Sequence, residues 1–113
     1  MKELTSVEDF PATVIHGTYT EPWNQIKTKG LSVMRRNHIH LASGKFGQEG
    51  VISGMRKTAD VFIYIDIPKA LQEDIKFFIS ENGVILTPGN SQGLLPPHLF
   101  LKVEDKKGNN LLL

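Results

Sequence analysis

Histidine and arginine side chains are concentrated in one stretch of this sequence. His38 and His40 are separated by one residue, and Arg35 and Arg36 lie just before them. In a strand, the two histidines would share one face at a separation of about 7 Å. Imidazole pairs of this kind bind zinc or iron, whereas guanidinium groups match the oxygens of a phosphate. The stretch therefore predicts a metal site or a phosphate site, with structural histidines and solvated arginines as the simpler alternatives.

A metal site would lack supporting ligands near this histidine pair. No Asp or Glu lies between Glu21 and Glu49, and the sequence contains no Cys. A metal ion would depend on His16 or on the distant Asp60 and Asp66. We therefore predict no metal, and the lack of Cys excludes thiolate nucleophiles and disulfides.

A second candidate phosphate site is the glycine-bearing segment at residues 50–56. Gly50 and Gly54 flank Ser53, and glycines let backbone N–H groups approach a phosphate closely. The segment has neither the Gly-Lys-Ser/Thr of a P-loop nor the Gly-x-Gly-x-x-Gly of a dinucleotide fold, so on its own it is a weak signal. The chain also lacks Gly-x-Ser-x-Gly and a close carboxylate pair, which argues against the common hydrolases.

Charge is unevenly distributed along the 113 residues, whose net charge is +1. Residues 10–57 hold seven basic and two acidic side chains, a net charge of +5. Such a region favours an anionic ligand such as a phosphate, although a solvated basic face is the more common reason for one. The length and the 40% hydrophobic content fit one folded domain. No apolar run reaches the roughly 20 residues that span a bilayer, and the first residues lack the apolar core of a secretory signal. We expect an intracellular monomer, cytoplasmic or nuclear, that does not bind membranes.

The elements that must position these residues are short strands with a few short helices. Residues 1–10 are expected to form a tether, and residues 17–20 a turn before a helix capped by Thr20 or Glu21 that ends at Gly30. A second helix is expected over residues 68–74. Asn82-Gly83 is a strong hairpin signal between two strands. Strands are predicted over residues 12–16, 38–42, 61–67, 77–79, 84–87 and 99–103.

Taken together, six ordered segments resemble the NAD-dependent tRNA 2′-phosphotransferase family, a branch of the ADP-ribosyltransferases. The resemblance implies an α+β ADP-ribosyltransferase fold, in which a split, mainly antiparallel β-sheet with short flanking helices holds NAD between its halves. It covers only the family's NAD-binding lobe, at residues 12–104, with a tether at 1–11 and a tail at 105–113. No counterpart of the family's preceding RNA-binding lobe is expected in this chain. The segments are Val-Ile-His-Gly-Thr at 14–18, Gly-Leu at 30–31, Met-Arg-Arg-Asn-His-Ile-His-Leu-Ala at 34–42, Gly-Val-Ile-Ser-Gly-Met-Arg at 50–56, Val-Phe-Ile-Tyr-Ile-Asp at 61–66 and Asn-Gly-Val-Ile-Leu-Thr-Pro-Gly at 82–89.

The reaction that this resemblance implies has two steps and needs no metal. An internal 2′-phosphate of RNA attacks the nicotinamide ribose of NAD, and the ribose 2″-hydroxyl then attacks that phosphate. The products are RNA with a 2′-OH, nicotinamide and ADP-ribose 1″,2″-cyclic phosphate. The implied partners are NAD and a 2′-phosphorylated tRNA or RNA, as produced in tRNA splicing. Two alternatives stay open: a lobe that binds NAD or ADP-ribose without turnover, and ADP-ribosylation of terminal phosphates on nucleic acids.

The resemblance also implies roles for individual residues. Arg36 matches the essential Arg that the family keeps in this lobe, as a clamp on the reacting 2′-phosphate. His40 stands where related transferases place a Tyr that stacks on nicotinamide, and residues 16–18 match the first NAD-binding motif. Arg35 falls at a variable position and is expected to be a surface residue. The residues expected to bind NAD are His16, Gly17, Thr18, His38, His40, Ser53, Gly54 and Arg56.

Overall fold

Short strands dominate the part of the chain that the structure describes. The structure is a computed structural model, and it describes residues 1–45 and 55–112. In chain order, the elements are β1 (Lys2–Leu4), a 3₁₀ turn (Val7–Asp9), β2 (Ile15–Thr18), α1 (Thr20–Lys29), β3 (Leu31–Ser32), β4 (Ile39–Leu41), β5 (Val61–Ile65), α2 (Ile67–Gln72), β6 (Phe77–Ile79), β7 (Ile85–Thr87), β8 (Leu94–Leu95), a second 3₁₀ turn (Pro97–Leu99) and β9 (Phe100–Asp105).

These strands form three sheets, and every strand pair is antiparallel. The largest sheet has the order β1-β6-β7-β4, the second has the order β2-β5-β9, and β3 pairs with β8 alone. The sequence-based prediction of an α+β fold with mainly antiparallel strands and short helices is therefore confirmed. In the described ranges, no helix has both the length and the apolar character to cross a membrane.

β5 is the central strand of the three-stranded sheet, as its apolar sequence predicts. Four of its five residues are buried, and the side chain of Ile63 is fully enclosed between β2 and β9. The strand ends at Ile65, two residues earlier than predicted. The reason is that the Asp66 carboxylate accepts a hydrogen bond from the Lys69 N–H and so begins α2, with Pro68 in the first turn.

α1 begins at Thr20, and its N-cap is Tyr19, so the cap predicted at Thr20 or Glu21 is wrong. The Trp23 N–H donates to the Tyr19 carbonyl at 3.0 Å, which closes the first turn one residue earlier than a Thr20 cap would. The predicted end at Gly30 is confirmed. Gly30 has a φ of +89°, and a Cβ there would lie 2.4 Å from the carbonyl oxygen of Leu95, so any other residue is excluded.

β2 starts three residues later and ends two residues later than predicted. It covers Ile15–Thr18, so the turn expected over residues 17–20 is wrong. Gly17 pairs with Phe62, and Thr18 pairs with Val61, because the strand continues to the start of α1. The first NAD-binding motif predicted from the sequence therefore lies on a strand rather than on a turn.

The two ends of the chain are more ordered than the sequence suggests. Residues 1–10 are not simply a tether, because β1 pairs with β6 from Lys2 opposite Ile79 to Leu4 opposite Phe77, and Leu4 is buried. The expected tail also folds back, since the Leu111 N–H donates to the Val103 carbonyl at 2.8 Å. β1 gains its structure from a distant partner strand, which local sequence patterns do not reveal, whereas the tail folds back on the end of β9.

The two larger sheets meet at Ile15 of β2 and Ala42 beside β4. The N–H of each residue donates to the carbonyl of the other, both at 2.8 Å. We call this pair of hydrogen bonds the sheet seam. It brings one end of β2 against one end of β4, and the histidines of both strands lie within two residues of it.

Candidate functional site

A cavity of about 1100 Å³ opens beside the sheet seam. Its walls come from β2, α1, β3, β4 and the loop that joins β3 to β4. The volume is at the upper end of typical small-molecule sites, so the cavity has room for a ligand as large as a dinucleotide. The residues that line it are His16, Gly17, Thr18, Tyr19, Pro22, Gln25, Ile26, Lys29, Gly30, Leu31, Ser32, Val33, Met34, Arg35, Arg36, His38, Ile39, His40, Met55, Arg56 and Leu94.

Strand alternation aims the histidines into this cavity. Ile39 and Leu41 of β4 are buried in the core, so His40 between them faces the opposite side. On β2, Ile15 packs into a second apolar cluster, and His16 faces the cavity. His38 precedes β4 and also lines the cavity, so the cavity brings His38 and His40 together.

His16 is held by β4 through its ring. Its Nδ1 lies 2.9 Å from the carbonyl oxygen of His40, an acceptor, so Nδ1 carries the proton and donates. Nε2 is then an unprotonated acceptor that is available to a ligand. Burial lowers the pKa of His16, against the opposing effect of the hydrogen bond to the His40 carbonyl. The ring is therefore neutral at pH 7.

His40 is neutral for a related reason. Burial lowers its pKa most, and the nearby charge of Arg36 lowers it further. Arg36 Nη1 lies 3.5 Å from His40 Nδ1, at the long limit of a hydrogen bond. A hydrogen bond to the His38 backbone opposes these two effects and raises the pKa. The cavity thus presents two neutral imidazole rings, and His16 offers its Nε2 as an acceptor.

Arg36 is placed by a tightly bonded loop between β3 and β4. The Arg36 N–H donates to the Val33 carbonyl at 2.9 Å, and the Val33 N–H donates to the Gly93 carbonyl at 3.0 Å. Met34 has a φ of +53°, which is rare for a side-chain-bearing residue, and the Ser32 hydroxyl accepts from its N–H at 3.0 Å. This loop fixes the backbone of Arg36 while its guanidinium stays exposed.

The charged side chains in the described lining of the cavity are all cationic. Four cationic side chains line it, and the lining residues that the structure describes include no Asp or Glu. Arg36 forms no ion pair with a carboxylate within the described ranges. Cations gathered without carboxylates attract an anion, and a low-dielectric wall strengthens that attraction. The four cations are Lys29, Arg35, Arg36 and Arg56.

Comparison with known proteins identifies the family. Residues 1–89 match the sequence profile described as "RNA 2′-phosphotransferase, Tpt1 / KptA family". The chain belongs to this family. A match over this length confirms the resemblance that the six sequence segments predict, apart from the restriction to a C-terminal lobe, which stays a prediction.

Several curated relatives of the family are similar over most of this chain. It is 49% identical over 100 residues to tRNA 2′-phosphotransferase 1 of Danio rerio, which covers 88% of this chain and 44% of the relative. It is 52% identical over 112 residues to a putative tRNA 2′-phosphotransferase of Schizosaccharomyces pombe, covering 99% and 30%. The tRNA 2′-phosphotransferase of Saccharomyces cerevisiae is 38% identical over 108 residues, covering 94% and 44%. The chain thus spans less than half the length of these relatives.

Most of the residues predicted for this family's site meet in the one cavity. Ser53 and Gly54 lie outside the described residues. The roles of the others stay predictions, since the structure shows their positions and surroundings alone. The seven predicted residues that line the cavity are His16, Gly17, Thr18, Arg36, His38, His40 and Arg56.

The structure also adds cavity residues that the sequence did not single out. Arg35, expected as a surface residue, is exposed and also lines the cavity. Lys29 reaches it from the last turn of α1, and Tyr19 from the N-cap of the same helix. The Tyr19 hydroxyl hydrogen-bonds the Thr58 hydroxyl at 2.7 Å, which ties the cavity rim to the segment beyond Arg56. The excess of basic residues over 10–57 was the available signal for Lys29.

Gly17 has a packing role in addition to the predicted NAD contact. A Cβ at this position would lie 2.8 Å from both Cβ and Sδ of Met55 and 3.1 Å from Cβ of Ala59. Real Cβ atoms do not approach other atoms so closely, so any side chain would push Met55 away from β2. Glycine at this position lets the segment around Met55 and Arg56 lie directly against the strand that carries His16.

The metal alternative finds no support in the described part of the chain. No group of three or more His, Cys, Asp or Glu side chains there is arranged to hold a metal ion. His16 and His40 each use Nδ1 in a hydrogen bond, to the His40 carbonyl and to Arg36 respectively. The histidines thus belong to a hydrogen-bonded arrangement around the cavity wall.

Proposed function

We propose that the cavity binds NAD and that the protein transfers an internal 2′-phosphate of RNA to it. RNA with a 2′-OH, nicotinamide and ADP-ribose 1″,2″-cyclic phosphate would be the products, as in tRNA splicing. The observation that carries this proposal is the position of Arg36 beside two neutral histidines. Among the described residues, Arg36 has no carboxylate partner and no Asp or Glu lines the cavity. Membership of the RNA 2′-phosphotransferase family supports the reaction.

The donor set of the cavity suits NAD. The Nε2 acceptor of His16 matches a ribose hydroxyl, which can donate a hydrogen bond. The ring of His40 provides a face on which nicotinamide stacks. Arg56 and Lys29 supply positive charge for the two phosphates of the dinucleotide. We further propose that the two sheets joined at the seam form an ADP-ribosyltransferase fold, with NAD between them.

Arg36 would act on the reacting phosphate. An exposed guanidinium at the cavity rim can hold two phosphate oxygens in a bidentate contact and fix the direction of attack. The phosphate oxygen forms a bond to the ribose carbon as the bond to the nicotinamide nitrogen breaks, and the electron pair leaves with nicotinamide. An anionic phosphate needs no general base to become a nucleophile, so a cavity without carboxylates is compatible with this step.

A second candidate is a lobe that binds NAD or ADP-ribose without turnover. The observation in its favour is that the chain spans only 30% to 44% of the relatives described above. In that case, residues that complete the reaction would come from a part of the protein that this chain does not contain. The same cavity would then be a binding site alone.

One experiment separates these candidates. The chain is incubated with NAD and an oligonucleotide that carries a single internal 2′-phosphate, and the products are resolved by mass spectrometry. Formation of ADP-ribose 1″,2″-cyclic phosphate together with dephosphorylated RNA is the expected result. NAD binding by calorimetry without either product would support the binding-only candidate, and the absence of NAD binding would contradict both. An oligonucleotide with a terminal phosphate in place of the 2′-phosphate tests ADP-ribosylation of ends.

A further inference from the structure

A second, smaller pocket of about 260 Å³ lies next to the main cavity. The two share Met55 and Arg56, so that Arg56 is common to both walls. Ala59 and Phe62, both buried, form the apolar floor of this pocket. We call it the basic pocket, because the rest of its described lining is cationic: Lys45, Arg56, Lys57 and Lys106.

The cations of the basic pocket come from three separate parts of the chain. Lys45 follows β4, Lys57 precedes β5, and Lys106 follows β9. Like charges that are brought together by folding repel one another, and the repulsion is relieved when an anion binds between them. An arrangement of this kind therefore favours an anionic ligand over a neutral one.

Among the described residues, one of these four cations forms an ion pair with a carboxylate. Lys45 lies 2.9 Å from Glu104 and 4.9 Å from the centre of the Phe62 ring. Lys57, Lys106 and Arg56 form no ion pair in the part of the chain that the structure describes. The lysines at 57 and 106 are both exposed, so they can reach a ligand that arrives from solvent. The described lining of the pocket thus carries a net positive charge, with Glu104 as the one carboxylate that pairs with a lining cation.

The size of the pocket limits what it can hold. Sites for drug-sized molecules occupy roughly 300–1,000 Å³, so 260 Å³ suits a single small group rather than a nucleotide. A phosphate matches both the size and the charge. Ammonium and guanidinium donors arranged around a phosphate oxygen form charge-assisted hydrogen bonds.

We propose that the basic pocket binds a phosphodiester of the RNA strand, next to the nucleotide whose 2′-phosphate lies at Arg36. This inference rests on the proposed function. A strand that places an internal 2′-phosphate in the main cavity must leave that cavity at its rim, and each linkage outside carries a negative charge. Arg56 joins the two spaces, so a strand that leaves the cavity beside Arg56 reaches Lys57 and Lys106 next. The diphosphate of NAD has cations of its own in the larger cavity.

Equilibrium RNA binding provides a test that needs no turnover. The parent chain and the double variant Lys57→Met/Lys106→Met are titrated with a fluorescent single-stranded RNA oligonucleotide without a 2′-phosphate, at several salt concentrations. Loss of the contact to this one phosphodiester should make the slope of log K against log salt shallower by about 0.7, the contribution of one phosphate on a single strand. We expect affinity at low salt to fall about tenfold or more. Both lysines are exposed, so the variant keeps the fold.

The matched control is Lys107→Met, which removes an exposed lysine beside Lys106 that does not line the pocket. Its salt slope should equal that of the parent. NAD affinity, measured by calorimetry, should be the same in all three proteins. The inference is overturned if the double variant and the control have equal slopes, or if the double variant loses NAD affinity while it keeps RNA affinity.

This result is distinguishable from failure of the proposed function. A chain that binds RNA through the basic pocket but forms no cyclic phosphate would support this inference and contradict turnover by the chain. A chain that forms the product with equal efficiency in the parent and the double variant, and with equal RNA affinity, would support the reaction and remove the basic pocket from it.

Discussion

Cationic side chains occur in two different surroundings in this molecule. At the main cavity, Arg36 is bonded to the neutral ring of His40, and the described lining contains no carboxylate. On the face of the β2-β5-β9 sheet that carries Tyr64 and Glu104, which we call the outer face, the Lys102 ammonium lies 4.3 Å from the centre of the Tyr64 ring and 3.9 Å from the Glu104 carboxylate. Lys45 also reaches this carboxylate, and the Tyr64 hydroxyl donates to it at 2.9 Å.

The difference between these two regions shows in the pKa values of their titratable groups. On the outer face of the sheet, hydrogen bonds from Lys45 and then from Tyr64 lower the pKa of Glu104, so its charge is stabilised within the protein. At the cavity, burial lowers the pKa of both His16 and His40, so their rings stay uncharged. Cations on the outer face have a carboxylate partner, whereas the cations in the described lining of the cavity have none.

The strongest test of this contrast replaces one cation from each region. We expect Arg36→Ala to lower turnover on the order of 10²–10³-fold, because a charge that stabilises the transition state is lost. NAD affinity should change little. Lys102→Ala, on the outer face, should leave turnover unchanged and cost at most about 1 kcal/mol of unfolding free energy. Steady-state kinetics on a 2′-phosphorylated oligonucleotide measure both, and equal losses in the two variants would break the distinction.

The titratable groups of the two regions should lower the free energy of unfolding in different pH ranges. His16 has a folded-state pKa below its ordinary value of 6.5, so the unfolded chain takes up a proton that the folded one resists. The free energy of unfolding should therefore fall as pH drops below about 6.5, by up to about 1.4 kcal/mol per pH unit for each such histidine. Glu104, whose pKa is lowered from 4.5, contributes stability that is lost only below that value.

Urea denaturation of the parent and of His16→Asn at pH 7.5, 6.5 and 5.5 checks this expectation. The slope between pH 6.5 and 5.5 should be shallower in the variant, since one group that resists protonation is gone. A parent whose stability is constant over this range, or a variant with the same slope, would show that His16 titrates normally in the folded protein.

A smaller effect is expected from the hydrogen bond that supports the loop of Arg36. Ser32→Ala removes the acceptor for the Met34 N–H and should cost about 0.5–1.5 kcal/mol of unfolding free energy. Because the bond fixes the loop that carries Arg36, turnover should fall by about two- to tenfold. The matched control is Ser80→Ala, which removes a similar bond to the Val84 N–H in the β6–β7 hairpin. Its stability cost should be similar, with turnover unchanged.

The smallest effect is expected on the outer face of the sheet. Tyr64→Phe removes the hydroxyl that donates to Glu104, a partly exposed bond worth about 1 kcal/mol or less. Burial, followed by the hydrogen bond to Glu104, raises the pKa of Tyr64 to about 12, so the hydroxyl stays protonated at any working pH. Stability should fall slightly, and turnover should equal that of the parent. A loss of turnover here would mean that the outer face and the cavity are coupled.

Local patterns in the sequence predicted the elements that depend on nearby residues. Asn82-Gly83 predicted the β6–β7 hairpin, which is confirmed, and the apolar run that begins at Val61 predicted the central strand. β1 was missed because its three residues are mostly charged and its partner strand lies more than 70 residues away. The two-residue strands β3 and β8 are too short to leave a periodic signal.

The site could be predicted in part for the same reason. Motif order singled out His16, Arg36 and His40. Strand alternation explains why the two histidines face the cavity, whereas the loop between β3 and β4 places Arg36 there. Lys29 and Tyr19 could not be assigned from sequence, since they reach the cavity only through the direction in which α1 leaves β2. The tautomer of His16 was equally inaccessible, because it depends on a hydrogen bond between two strands that are distant in sequence.

The sheet seam has a consequence for how ligand binding and folding are linked. Ile15 and Ala42 join the two larger sheets by two hydrogen bonds, with the His16 ring as a third connection. A ligand that contacts both β2 and β4 would add further contacts across the sheet seam. Because such a ligand binds the folded chain and not the unfolded one, it raises the free energy of unfolding, by about 2.7 kcal/mol at a ligand concentration of a hundred times its Kd. A ligand of the proposed kind would therefore strengthen the contact between the two larger sheets as its concentration rises.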